Sequence, residues 1–229
     1  WTILNPLAMI LVYTVIFSQV MRAKLPGIDS SFAYSIYLCA GVLTWGLFAE
    51  IIVRGQNVFI EHANLIKKIS FPRISLPVII VLNACLDFAI IFGLFTLFLL
   101  FSGNFPGWVY LGIFPVLLVQ ILFSVGLAII IGVLNVFFRD VGQFFGIFLQ
   151  FWFWLTPIVY PATILPEQIR SLMIYNPMMT FISAYQGILV SGTMPDWQGF
   201  VPLSAVSVGL CIFGLRLFRK RAGEMVDEL

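Results

Sequence analysis

Charge is what this sequence lacks most. Lysine, arginine, aspartate and glutamate make up only 10% of its 229 residues, against ~25% in an ordinary soluble domain. So few charges cannot clothe a surface in water, and lipid is the solvent the chain is built for. Histidine is reduced to one residue, His62, which leaves no second imidazole to share a metal ion. The three cysteines, Cys39, Cys85 and Cys211, lie far apart inside apolar runs. That spacing argues against a disulfide framework or a thiolate metal site, and small apolar packing residues are the plain reading. A net charge of +2 gives no sign of a nucleic-acid partner. Neither GxxxxGK[ST] nor GxGxxG ahead of a soluble α/β pattern is present, so the chain is not expected to hydrolyse ATP alone. HExxH is missing too, and no Ser–His pair or pair of aspartates in adjacent spans suggests an intramembrane protease. No catalytic residue, metal site or cofactor of its own is therefore assigned.

What the sequence has is hydrophobicity, at 61% of residues. About 20 mainly apolar residues cross a bilayer, and polar punctuation marks six such spans: 1–20, 32–53, 78–101, 109–137, 142–160 and 199–217. The expected fold is an all-α membrane protein with six transmembrane helices, forming one domain over residues 1–229. The opening run from Trp1 has no basic n-region and no cleavage site, and reads as a span rather than a signal peptide. A further N-terminal segment is expected to precede it. Lysine and arginine set the orientation. With both termini on the cytoplasmic side, Arg54, Lys67, Lys68, Arg73, Arg139, Arg216, Arg219, Lys220 and Arg221 lie inside, and only Arg22, Lys24 and Arg170 outside.

Two connections are long. Residues 54–77 are polar and basic, and 58–69 within them predict a short amphipathic helix bearing Val58, Ile60, Leu65, Ile66 and Ile69. Phe71-Pro72 would end it. It serves either as a surface helix against headgroups or as a docking knob for a cytoplasmic partner. Residues 161–197 hold apolar stretches too short to span, which suggests short helices that dip into the membrane and return, broken at Asn176-Pro177.

Two acids fall near or inside spans. Glu50 lies toward the end of the second, and Asp87 is well inside the third. Ionisable groups at depth are costly and often functional. Asp87 reads first as a polar link between helices, and a proton-driven carrier would need a chain of such groups. An intramembrane transferase would need clustered acids or histidines, for which Glu50, Glu61 and His62 are a thin case. Aromatics reach 16% of the chain. In the fifth span, Phe144, Phe148, Phe151 and Trp152 form one stripe at helical spacing, while Tyr13 and Phe17 are similarly spaced in the first. Such a stripe serves core packing or the wall of a path along which aromatic faces stack on sugar rings.

Five segments, in this order, carry a resemblance over nearly the whole chain: WTILNPL, NLIKKISFPRISLP, NVFFRDVGQF, WFWLTPIVYP, and YNPMMTFISAYQGIL followed by SGTMPDW. The sequence resembles the permease subunits of ABC-2-type polysaccharide exporters, the group that moves O-antigen and teichoic-acid chains. The resemblance implies a homodimer in the bacterial inner membrane, paired with two copies of a nucleotide-binding ATPase subunit that binds ATP and Mg2+. It implies a lipid-linked glycan as substrate, with a drug or free lipid as the alternative. It also implies that a cytoplasmic coupling helix between spans two and three, with Glu61, Asn64, Leu65, Ile66, Lys67, Lys68, Phe71, Pro72 and Arg73, meets that motor. Tyr13, Phe17, Phe148, Phe151 and Trp152 become candidates for the path wall. Short re-entrant outer helices between spans five and six become a gate that includes Tyr160, Pro161, Asn176 and Pro177. Members of this group usually begin with a basic amphipathic helix ahead of the opening tryptophan, which is where the further N-terminal segment expected before Trp1 would lie.

Overall fold

A computed structural model describes residues 32–67 and 74–228, together with Ala8, Leu11, Val12, Val15 and Ile16. Most of the described residues are helical, with no strand among them. In chain order the α-helices are α1 (Ala33–Glu61), α2 (Ala63–Ile66), α3 (Ser75–Phe101), α4 (Ile113–Phe137), α5 (Asp140–Leu155), α6 (Glu167–Met173), α7 (Pro177–Gln186), α8 (Trp197–Arg221) and α9 (Glu224–Glu228). A 3-10 turn, Gly107–Gly112, leads into α4, and a π-helical turn, Gly187–Ser191, extends α7. Four helical stretches are long and apolar enough to cross a membrane: Ala33–Glu61, Ser75–Phe101, Gly107–Phe137 and Trp197–Arg221. Apart from those five residues the first expected span lies outside the described residues, as do residues 68–73.

Three expected boundaries differ. The second span runs on to Glu61, eight residues past its expected end at 53. The fifth helix stops at Leu155 rather than 160. Pro157 explains that stop, because it lacks an amide hydrogen and its ring clashes with the carbonyl one turn earlier. The amphipathic helix expected over 58–69 is a correction. Residues 58–61 complete α1, His62 leaves the helical conformation at φ −109° and ψ 26°, and α2 is a separate single turn. The His62 ring donates from Nδ1 to the Val58 carbonyl at 3.1 Å, and its amide donates to the same oxygen at 3.2 Å. This local bonding closes α1 and breaks the predicted helix in two.

The chain divides into two compact units. One holds the described residues up to Gly46, with Leu86–Val116 and Phe153–Trp197. Its core includes Ile36, Phe95, Leu99, Ile158, Met178, Phe181, Tyr185 and Ile188, all buried. The other holds Leu47–Cys85, Leu117–Trp152 and Gln198–Leu229. Its core gathers Val58, Phe59, Leu76, Ile129, Val133, Val136, Phe218 and Met225, with Phe59 and Phe218 stacked at 5.2 Å.

Small residues let the helices of the second unit approach closely, the usual device where lipid supplies no hydrophobic drive between helices. A Cβ on Gly132 would lie 2.6 Å from the Gly55 carbonyl, joining α4 to α1. A Cβ on Gly126 would lie 2.6 Å from the Cys211 amide nitrogen, joining α4 to α8. That neighbour is backbone and cannot swing away. Gly126→Val should therefore destabilise the chain by about 1–3 kcal/mol, seen as a lower midpoint of thermal unfolding in detergent. An unchanged midpoint would refute the close approach.

Candidate functional site

Three places bring together polar or aromatic groups that packing alone does not require. The first is α5. Its sequence DVGQFFGIFLQFWFWL begins with an acid in the first turn, favourable at the positive end of the helix dipole. Leu149 and Gly142 are buried. Phe144 and Phe151 are 62% and 66% exposed, and Phe148 is 38% exposed. Core packing among the described residues therefore does not account for them. Phe144 stacks on Phe148 at 6.1 Å, and Phe148 meets Trp152 at 5.3 Å, forming a ladder along the helix. Trp152 is half-buried because Phe48 of α1 meets its ring edge-on at 5.2 Å. Gln143 and Gln150 are exposed on the same helix. Tyr13 and Phe17, the other wall candidates, lie outside the described residues.

The start of α5 is held by Asn135 of α4, which is 2% exposed. Its Oδ1 accepts the Gly142 amide at 2.8 Å. Its Nδ2 donates to the Gln56 carbonyl at 2.8 Å and reaches Asn57 Oδ1 at 3.3 Å, both on α1. Gly142 is required here, since a Cβ would sit 2.7 Å from Asn135 Oδ1.

The second place is the non-helical stretch after α5, Thr156–Pro161, in the first unit. Backbone carbonyls freed from a helix inside a membrane protein need donors from elsewhere in the protein. Tyr34 supplies one, donating from its hydroxyl to Val159 O at 2.6 Å. The Tyr37 hydroxyl lies 3.0 Å from both Pro157 O and Tyr160 O. Gln186 Nε2, at the end of α7, reaches Tyr37 O and Pro157 O at 3.4 and 3.5 Å, the long end of the range. Gly41 makes room, because a Cβ there would lie 3.0 Å from Ile158 Cγ2. Tyr160 donates to Trp154 O at 2.7 Å. Asn176 caps α7 by accepting the Met178 amide at 3.1 Å, with Pro177 in the first turn. Asn176 also donates to Thr156 Oγ1 at 3.0 Å. Tyr160, Pro161, Asn176 and Pro177 thus share one unit, with Asn176 bonded directly to the Thr156–Pro161 stretch.

The third place is the end of α1. Glu61, Asn64 and Lys67 are exposed, and Leu65 is half-buried against the Phe59 core. Ile66 belongs to α2 by its backbone. Lys68, Phe71, Pro72 and Arg73 lie outside the described residues. About two to three turns before the end of α1, Glu50 and Arg54 pair at 2.8 Å, which neutralises an acid the sequence left open. Asp87 is half-buried on α3.

Sequence reasoning missed Tyr34, Tyr37, Gln186 and Asn135. The prolines at 157 and 161 announced carbonyls in need of donors, but not which distant side chains supply them. Asn135 stood in an otherwise apolar run, which marks a polar group with a partner, yet Gln56 and Gly142 are not legible from spacing.

Residues 1–190 match the model of the ABC-2 type transporter family. The chain is 32% identical over its whole length to the O-antigen export system permease protein RfbA of Myxococcus xanthus, covering 86% of that protein. It is 31% identical to the protein of the same name from Klebsiella pneumoniae, covering 96% of this chain and 83% of the relative. Similarity to the polysialic acid transport protein KpsM of Escherichia coli is 21% over the whole chain and 87% of the relative.

Proposed function

This chain belongs to the ABC-2 type transporter family, and from that premise we propose that it is the membrane-spanning subunit of an ATP-driven exporter of lipid-linked polysaccharide. It crosses the bacterial inner membrane six times, counting span one and α5 with the four long stretches, and keeps both termini in the cytoplasm. Two copies enclose the path, and two copies of a separate ATPase subunit bind ATP and Mg2+. The names of its relatives support polysaccharide as the cargo class.

The observation that carries the reading is the exposed face of α5. Gln150 lies ten residues into the helix, about 15 Å along its axis, and is exposed. An amide turned toward hydrocarbon costs on the order of 2–7 kcal/mol. A face that combines Gln143 and Gln150 with Phe144, Phe148 and Phe151 therefore suits a hydrated path better than lipid. Stacked rings present apolar faces to the CH surfaces of sugars without gripping them, and the two amides replace water at passing hydroxyls. A polymer must slide, so many weak contacts serve better than one tight site.

The segment Glu61–Arg73 is the contact with the motor, and Thr156–Pro161 with α6 and α7 is the outer gate. Phe148→Ala combined with Phe151→Ala should lower polysaccharide export several-fold while the ATPase subunit still binds. The check is surface glycan on cells that lack the native chain, with co-purification of the ATPase as the control. Full export in the double variant would remove α5 from the path. Export of a free lipid or drug, with no glycan moved, would replace the cargo and keep the transporter class.

A further inference from the structure

The two parts of this reading, a motor contact at the end of α1 and a path face on α5, need a mechanical link. We infer that Asn135 is that link: a positioning residue whose one side chain locks the exit of α1 to the start of α5. The inference rests on the motor-coupled reading above and adds to it the route by which the path is moved.

The geometry is specific to this side chain. Asn135 spends its donor group on α1 and its acceptor on α5. The amide it accepts from belongs to the first turn of α5, where backbone donors have no partner inside the helix. The bond spans seven residues because the chain reverses between α4 and α5. On the other side it holds the Gln56 carbonyl and the Asn57 side chain, within six residues of Glu61, where the segment toward the motor begins. Asn135 itself is buried, so water does not compete for these bonds. A displacement of the end of α1 is carried to the start of α5 by a rigid, desolvated amide rather than by a flexible loop.

A second observation sets this junction apart from ordinary packing. Gln56 is buried, and its side-chain Oε1 has no hydrogen-bond partner among the described residues. A buried acceptor left unmet is costly. Its place beside the link shows that the tight meeting of α1, α4 and α5 is kept at that cost. Gly142 keeps the junction tight from the α5 side.

Two independent breaks test this. Asn135→Asp keeps an acceptor for the Gly142 amide and removes the donor to α1. Gly142→Ala leaves Asn135 intact and pushes on its Oδ1 from α5. Each is made in the full chain, purified with its ATPase subunit, and assayed for ATP hydrolysis and for polysaccharide export in reconstituted vesicles. Spin labels at exposed Val53 on α1 and Ile147 on α5, with the native cysteines replaced, report the distance between the two helices with and without ATP. The expected result is ATP hydrolysis within about twofold of normal and export per ATP lowered about tenfold in both variants, inside the usual range of coupling between sites. The label distance should be the same with and without ATP in the unaltered chain and nucleotide-dependent in the variants. Normal export in both variants overturns the link. So does a parallel fall of hydrolysis and export, which a merely structural role would give, or a label distance that already changes with ATP in the unaltered chain. An unaltered chain that binds no ATPase overturns the motor-coupled reading, and the link falls with it.

Discussion

Phe71→Asp should cut polysaccharide export about a hundredfold, near the upper end of coupling between distant sites, while the membrane-spanning helices stay folded. The reasoning runs from the segment's chemistry. NLIKKISFPRISLP sets apolar side chains among Lys67, Lys68 and Arg73, a pattern that serves docking into a protein cleft as well as it serves a lipid surface. Pro72 fixes its own φ ahead of α3, and Pro77 lies in the first turn of that helix. A carboxylate at position 71 would have to be stripped of water inside such a cleft, so docking fails while the helices, which do not need this side chain, remain. The test compares export from cells, co-purification of the ATPase subunit and thermal unfolding of the purified chain. Lost export with an unchanged unfolding midpoint is the expected pattern. Export near normal would remove Phe71 from the motor contact and leave the segment as a surface helix against headgroups.

The second large effect concerns the gate. Tyr37→Phe with Gln186→Leu removes the donors that reach the Pro157 and Tyr160 carbonyls. Leaving buried acceptors unmet costs about 1–3 kcal/mol each, so the pair should destabilise the first unit by roughly 2–6 kcal/mol. Opening should be local. Deuterium uptake at Ile158, whose amide donates to Thr156 O at 2.7 Å, should rise well before the cores of the two units exchange. Tyr34 and Val159 keep their own bond, and the double variant isolates the Tyr37–Gln186 contribution. Unchanged uptake at Ile158 would mean that water already serves these carbonyls and that the tyrosine is not holding the segment.

What was legible in the sequence follows from the kind of signal each feature leaves. Long apolar runs announce spans, and the four longest helical stretches match spans read from hydropathy. Proline at 157 leaves an equally local trace, but its effect on the helix end had to compete with an apolar run that continues to Tyr160. Hydropathy won in the reading, and proline stereochemistry won in the fold. The helix expected over 58–69 failed for a similar reason. A hydrophobic pattern does not register that His62 can turn back on Val58 and end a helix. For α5 the spacing showed which aromatics share a stripe, but not whether the stripe is buried. That depends on what the neighbouring helices cover, and they cover Trp152 while leaving Phe144 and Phe151 bare. Asn135, Tyr37 and Gln186 were silent because their partners lie 79, 120 and 149 residues away in the chain. No local period encodes such pairs.

The most direct test of the account is transport by the purified chain and its ATPase partner in sealed vesicles supplied with lipid-linked polysaccharide. The account predicts glycan movement that requires ATP and Mg2+ and persists when the proton gradient is collapsed. Movement that continues without ATP and stops when the gradient is removed would contradict it, and Asp87 of α3 would become the residue to explain.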